Sequence, residues 1–299
     1  MTDLNRPVEF GGNVDPTAHD PVWPLRLTQV IEAANLEFVG IQDHPYNAGF
    51  LDTWTLIATL AQATSRVRFF PNVANLPLRP PVMLAKAVAT LDVLSGGRVE
   101  LGLGAGAFPE GAAAMGGPKR TRGEAVSALE EAIQVIRLFW SGERSVRFEG
   151  KYYAVRGARP GPAPAHDIGI WLGAYGPRML ALTGRYADGW IPSSSFAPPA
   201  RLLEMQQRID EAARAAGRRP QDIRRVYNVM GLISEGPRRA FLDGPVAYWI
   251  EELTKLVVEV GMDTFIFWPA EDRMRQMEIF AAEVVPGVRE AVARARSST

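Results

Sequence analysis

Short runs of apolar and β-branched residues alternate along the chain with longer segments whose apolar positions recur every three to four residues. Eight runs stand out, at 8–12, 38–42, 67–73, 99–104, 168–173, 189–192, 225–233 and 264–269. Most are solidly apolar, as strands covered on both faces must be. Between them, Leu27, Val30, Ile31 and Ala34 fall at i, i+3, i+4 and i+7, and so do Leu84, Ala87, Val88 and Leu91. Leu129, Ala132, Ile133 and Ile136 repeat the pattern, as do Leu202, Met205, Gln206 and Ile209 with one polar lapse. A helix with one apolar stripe packs on one layer. Alternating strands and single-striped helices predict repeated βα units around a parallel sheet, an α/β (β/α)8 TIM barrel.

The punctuation supports these boundaries. Thr121-Arg-Gly-Glu124 is a capping box opening a helix that runs to about Trp140, because each side chain can satisfy the other's orphan backbone donor. Ser95-Gly96-Gly97 closes the preceding helix with residues that tolerate left-handed backbone. Pro198-Pro199 marks a helix start, and Pro286 a late break. Two stretches exceed a minimal barrel: a small hairpin over Phe148-Glu-Gly-Lys-Tyr-Tyr-Ala-Val155 with the Gly/Pro-rich loop 157–164 behind it, and the polar segment 234–245. With no linker-like composition and no repeat, the expectation is a single domain over 1–299 with insertions near 145–165 and 234–245.

Composition narrows the function. The 299 residues carry 33 Lys+Arg against 33 Asp+Glu, so no basic footprint points to nucleic acid or an anionic membrane. Small-molecule partners are expected. The absence of Cys excludes disulfides, thiolate nucleophiles, zinc ribbons and iron–sulfur clusters. The N-terminus lacks a signal-peptide pattern and no stretch approaches the roughly 18 consecutive apolar residues of a membrane helix, which gives a cytoplasmic, soluble expectation.

Candidate chemistry lies at the strand ends. Gln42-Asp43-His44-Pro45 follows a strand directly; a His beside a carboxylate can exchange a proton near neutral pH, although Asp and Pro also simply make turns. His19 and His166 sit in polar, loop-like sequence and read as solvent-facing. Gly102-Leu-Gly104-Ala105-Gly106-Ala107 formally matches a dinucleotide fingerprint, but Phe108-Pro109-Glu110-Gly111 interrupts the helix that should follow. What survives is a loop that lets backbone approach a flat ring or a phosphate. Gly173-Ala174-Tyr175-Gly176-Pro177-Arg178 is a turn opening a helix with Pro at its first position, equally readable as a phosphate cradle or an ordinary βα turn. Asn72 and Val73 end the third strand beside Pro71, which suggests a bulge or plain strand termination. Metal-hydrolase and glycosidase readings lack the required His and carboxylate sets, so no metal is expected; a rim rich in Gly, Asn and aromatics suits an organic cofactor that brings its own reactivity.

The run from Leu84 to Gly106, preceded by Asn72-Val-Ala-Asn-Leu-Pro-Leu-Arg79-Pro-Pro81, resembles the bacterial luciferase-like monooxygenase family. Asp43-His44-Pro45-Tyr46, Phe148-Glu-Gly-Lys-Tyr-Tyr153, Trp171-Leu-Gly-Ala-Tyr-Gly-Pro-Arg178 and Ala187-Asp-Gly-Trp190 extend the likeness over nearly the whole chain. The resemblance implies a flavin or the deazaflavin coenzyme F420 at the C-terminal rim, with His44 as proton donor or acceptor and Asp43 beside it. It implies a non-prolyl cis peptide at Asn72-Val73 against one face of the ring. Gly104, Ala105 and Gly106, with Gly173, Ala174, Tyr175, Gly176 and Arg178, would hold the ring and phosphate regions. Ala107 and Ala48 stand where the family's sugar-phosphate dehydrogenases carry an acidic residue and a Trp, which argues against glucose 6-phosphate.

The resulting expectation is an F420-dependent oxidoreductase that transfers a hydride to or from a small organic substrate, with Phe108 and Trp268 as apolar pocket walls. The alternatives are a two-component monooxygenase using reduced FMN, served by a flavin or F420 reductase, and a cofactor-binding protein without turnover. A nicotinamide dehydrogenase ranks behind these. Related barrels suggest a homodimer.

Overall fold

The computed structural model describes residues 5–298 as two compact units. The first comprises 5–14, 22–40 and 174–298. Its strands run parallel: Glu9–Asn13 pairs with Phe38–Ile41 on one side and with Thr264–Pro269 on the other, and Thr264–Pro269 pairs in turn with Arg224–Ile233. Gly189–Trp190 joins the start of Arg224–Ile233, and the two-residue strand Asp243–Gly244 joins its end. The register sets Gly11 opposite Phe38 and Ile266, and Val226 opposite Thr264. Parallel strands need crossovers, and helices Trp23–Ala33, Pro177–Tyr186, Pro199–Ala215 and Val246–Lys255 supply them. The core is aromatic: Phe267 and Phe280 centroids lie 4.6 Å apart, and Trp249 meets Phe267 edge-on at 5.0 Å.

The second unit comprises 15–21 and 41–173. Ala74–Asn75, Leu101–Gly104 and Ile170–Leu172 pair in parallel, and Arg68–Pro71 reaches the same ladder through a bridge between Phe69 and Val99. Helices Thr53–Gln62, Pro81–Ser95, Pro109–Ala114 and Arg122–Trp140 complete it. Arg98 locks the lower end: its guanidinium donates to the carbonyls of Ser95, Ala61, Thr64 and Val67 and to the Thr64 hydroxyl, satisfying carbonyls that a helix end and a loop leave open.

The eight strands expected from apolar runs are all present, five of them shorter than the run. The capping box at Thr121 and Glu124 forms, Gly96 closes its helix in the left-handed region with φ 70°, and Pro198 caps Pro199–Ala215. The inserted hairpin is present as Val146–Glu149 paired with Ala154–Ala158. Pro286 sits in the first turn of Val285–Ser297, directly behind the π-helical turn Phe280–Val284, where the α-helical ladder is interrupted while the chain stays helical. Phe108-Pro109-Glu110-Gly111, expected to interrupt a helix, starts the short helix Pro109–Ala114, where a proline's missing N–H costs nothing. Helix Thr53–Gln62, capped by Asp52, has no counterpart among the predicted helices, nor do Val246–Lys255 and Arg273–Ile279.

Candidate active site

The strand Phe38–Ile41 delivers Asp43 and His44 into the turn behind it, in the second unit. Asp43 is buried, and both its oxygens are engaged. Arg79 donates to them from Nη2 at 2.8 Å and from Nε at 3.2 Å, while the Asn75 amide adds a bond at 2.9 Å. Arg79 Nη2 also reaches Asp52 Oδ2 at 2.6 Å, tying this turn to the cap of helix Thr53–Gln62. Such fork-to-carboxylate pairing fixes orientation as well as charge.

His44 therefore takes its orientation from elsewhere than expected. Its Nδ1 lies 2.7 Å from the Tyr46 hydroxyl, and Tyr46 in turn packs edge-on against Phe108 with centroids 5.1 Å apart. Asp43 acts on His44 only through its field. Burial pulls the imidazole below its ordinary value of 6.5, and the Asp43 charge partly offsets that. The ring is consequently neutral at pH 7, able to give or accept a proton.

The Asn72–Val73 peptide is cis, as the resemblance implied. Behind it, the glycine loop serves packing between chain segments. A Cβ on Gly104 would lie 2.8 Å from Val73 Cγ2, and one on Gly106, whose φ is 94°, would lie 2.6 Å from Pro77 Cγ. On the Cβ side, the space over these two glycines is filled by Val73 and Pro77. Ala105 lies half-buried between them.

Gly173 ends the ladder of the second unit, its amide bonded to the Leu103 carbonyl at 3.3 Å. Ala174, Tyr175, Gly176 and Arg178 belong to the first unit. The Ala174 carbonyl accepts from the buried Trp190 indole at 2.9 Å, and the Tyr175 hydroxyl accepts from the Ser193 amide at 3.0 Å. Gly176 caps helix Pro177–Tyr186 with no side-chain hydrogen bond, and a Cβ there would meet nothing within 4 Å. The turn at Gly176 thus sets open space beside a positive helix end, a geometry suited to phosphate. Trp268 is half-buried at the end of Thr264–Pro269, in the first unit, whereas Phe108 belongs to the second.

Reasoning from sequence overlooked Arg79, Asp52, Asn75 and Tyr46. Tyr46 stood in the quoted motif, two residues past His44, and an aromatic hydroxyl at that distance across a Pro turn was its only signal. His166 is a correction: it is half-buried, with Nδ1 2.8 Å from Asp92 and Nε2 3.7 Å from Glu100.

The sequence model of the luciferase-like monooxygenase family matches residues 12–249. The chain belongs to the luciferase-like monooxygenase family. Among relatives of this luciferase-like chain, an uncharacterised protein of Mycobacterium tuberculosis is 30% identical over 239 residues, covering 80% of this chain and 79% of its own. An F420-dependent hydroxymycolic acid dehydrogenase from the same organism is 34% identical over 215 residues, covering 69% of this chain and 58% of its own. An F420-dependent secondary alcohol dehydrogenase, solved with an F420-acetone adduct, superposes with a TM-score of 0.85 at 20% identity, over 95% of this chain and 99% of that one. That likeness shows the fold, an α/β barrel. Among the described residues no helix is long and apolar enough to cross a membrane.

Proposed function

We propose that this luciferase-like enzyme is an F420-dependent oxidoreductase acting on a small organic substrate, with reduced FMN and oxygen as the second reading. The observation that carries the proposal is His44: a neutral, half-buried imidazole at a strand end, oriented by a hydroxyl and flanked by a carboxylate that Arg79 holds still. The names of the relatives favour the deazaflavin.

The residues present fit such a cofactor. Asn75 Oδ1 is buried without a hydrogen-bond partner, an acceptor whose cost is relieved by a ring N–H. The positive helix end at Gly176 suits a phosphate. Asn72, Val73 and Asn75, with the loop Gly104, Ala105 and Gly106, would hold the ring; Gly173, Ala174, Tyr175, Gly176 and Arg178 would hold the phosphate region. When bound, the cofactor supplies the hydride chemistry. The chain supplies the rest: His44 exchanges a proton with the substrate at Nε2, the ring nitrogen that Tyr46 leaves open. The same reading has the enzyme in the cytoplasm as a homodimer, supplied with reduced cofactor by a separate reductase.

Absorbance titration of the apoprotein with F420 and FMN side by side tests the reading. Much tighter F420 binding, with no oxygen consumption, is expected; tighter FMN binding with oxygen uptake selects the monooxygenase. His44→Ala should lower turnover by about 100-fold or more while leaving the fold and cofactor affinity in place. Intact turnover in that variant removes His44 from the chemistry.

A further inference from the structure

A histidine that faces a carboxylate is usually held with its proton on the nitrogen nearest that carboxylate, so that the other nitrogen is bare and ready to accept. His44 is arranged differently. Asp43 is adjacent in sequence, yet Arg79 and the Asn75 amide occupy both its oxygens. Arg79 is itself shared with Asp52, so one guanidinium between two carboxylates fixes the charge beside the imidazole. Nδ1 meets the Tyr46 hydroxyl, at 2.7 Å.

What Tyr46 can do there is constrained from three sides. Burial and the Asp43 charge both raise its hydroxyl above the ordinary value of 10.0, so it keeps its proton. The Asn75 side chain bonds to the same hydroxyl. Because Asn75 Oδ1 is the amide atom without a partner, its Nδ2 is the atom facing Tyr46, and it donates. With Asn75 donating to it, the hydroxyl has one hydrogen left to direct, and Nδ1 at 2.7 Å is within its reach. The ring of Tyr46 cannot swing away: Phe108 stands edge-on to it, and Gly111 leaves room for nothing larger, since a Cβ there would lie 2.9 Å from Tyr46 Cγ.

We propose that Tyr46 is the positioning residue of His44: it donates its hydroxyl hydrogen to Nδ1, so that His44 carries its own proton on Nε2 and meets the substrate as a donor. The fitting substrate class follows, a compound that presents an acceptor oxygen such as a carbonyl, in preference to one that presents a hydroxyl proton to be removed. The consequence for substrate rests on the proton role proposed above for His44. The tautomer does not; it is a property of the cofactor-free chain, so its failure and the failure of the F420 reading are separable.

The test is a long-range nitrogen–proton correlation spectrum of the imidazoles in cofactor-free protein. The chain has three His, and His44→Gln identifies one set of signals. At a pH where His44 is neutral, the wild type should show a protonated Nε2 and a bare Nδ1. Tyr46→Phe should abolish that preference and raise the His44 pKa by about half a unit to one unit, because the lost hydrogen bond stabilised the neutral ring. Arg79→Gln should raise it as well, by returning the full Asp43 charge to the imidazole. A proton on Nδ1 in the wild type overturns the proposal without recourse to any variant. So does a Tyr46→Phe protein, folded by circular dichroism, in which the tautomer is unchanged or the pKa falls.

Discussion

Asp92 lies wholly inside the protein, and three donors converge on its carboxylate: the Ala165 amide at 2.7 Å, the His166 amide at 3.1 Å and the His166 ring Nδ1 at 2.8 Å. These bonds tie the loop ahead of strand Ile170–Leu172 to helix Pro81–Ser95. Asp92→Asn keeps the shape and one acceptor oxygen and removes the charge. Charge-assisted hydrogen bonds are about twice as strong as neutral ones, which contribute about 1 kcal/mol each, so three weakened bonds cost about 3 kcal/mol. The loss also has a pH signature. The carboxylates of Glu100 and Asp92 hold His166 above its ordinary 6.5, against the opposing effect of burial. A group raised on folding contributes stability that is complete below 6.5 and fades as pH climbs through its folded value. His44, lowered by burial, acts with the opposite sign, but it is common to both proteins and cancels in their difference. Urea denaturation at about pH 6 and about pH 8 should therefore show a deficit of about 3 kcal/mol in the variant at the lower pH, shrinking at the higher. A deficit below about 1 kcal/mol at the lower pH, or one that does not change between the two, refutes the reasoning.

Other substitutions probe other parts of the account. Gly184→Ala places a Cβ 2.8 Å from the Ala213 amide nitrogen, between helices Pro177–Tyr186 and Pro199–Ala215, and should cost about 1–3 kcal/mol in chemical denaturation; wild-type stability would mean that the helices part freely. Arg98→Met strips the carbonyls of Ala61, Thr64, Val67 and Ser95 of their donor and should lower stability by about 3 kcal/mol or more, with cofactor affinity of the folded fraction retained. Gly111→Ala pushes on Tyr46 and Phe108, so it should reduce turnover several-fold with little change in unfolding midpoint; unaltered kinetics would show that Tyr46 does not need its place.

The alternation of strands and helices was legible because most strands are solidly apolar and the predicted helices carry a single stripe, as in 264–269 and in Leu129, Ala132, Ile133 and Ile136. Helix Thr53–Gln62 escaped because it buries Thr53, Trp54, Leu56, Ile57, Leu60 and Ala61, a face too broad to read as one stripe. At the site, Asp43 and His44 were legible as neighbours, but their relation was not. The partner of Asp43 is Arg79, 36 residues on, and only the folded turn reveals that it takes the carboxylate away from the imidazole. His166 was misread for the same reason: its polar surroundings in sequence suggested solvent, while its partner Asp92 lies 74 residues away on a helix. The glycines at 104 and 106 announced close approach correctly, yet what approaches them is Val73 and Pro77. Local pattern carries periodicity and turns; pairings across long separations belong to the fold.

The most direct measurement is a crystal structure of the protein with F420 bound. The account predicts a ring N–H within hydrogen-bond distance of Asn75 Oδ1, His44 Nε2 facing the reactive part of the ring, and a phosphate against the amides that follow Gly176. A cofactor bound elsewhere, with Asn75 Oδ1 still unpartnered and the helix end at Pro177 vacant, would contradict it.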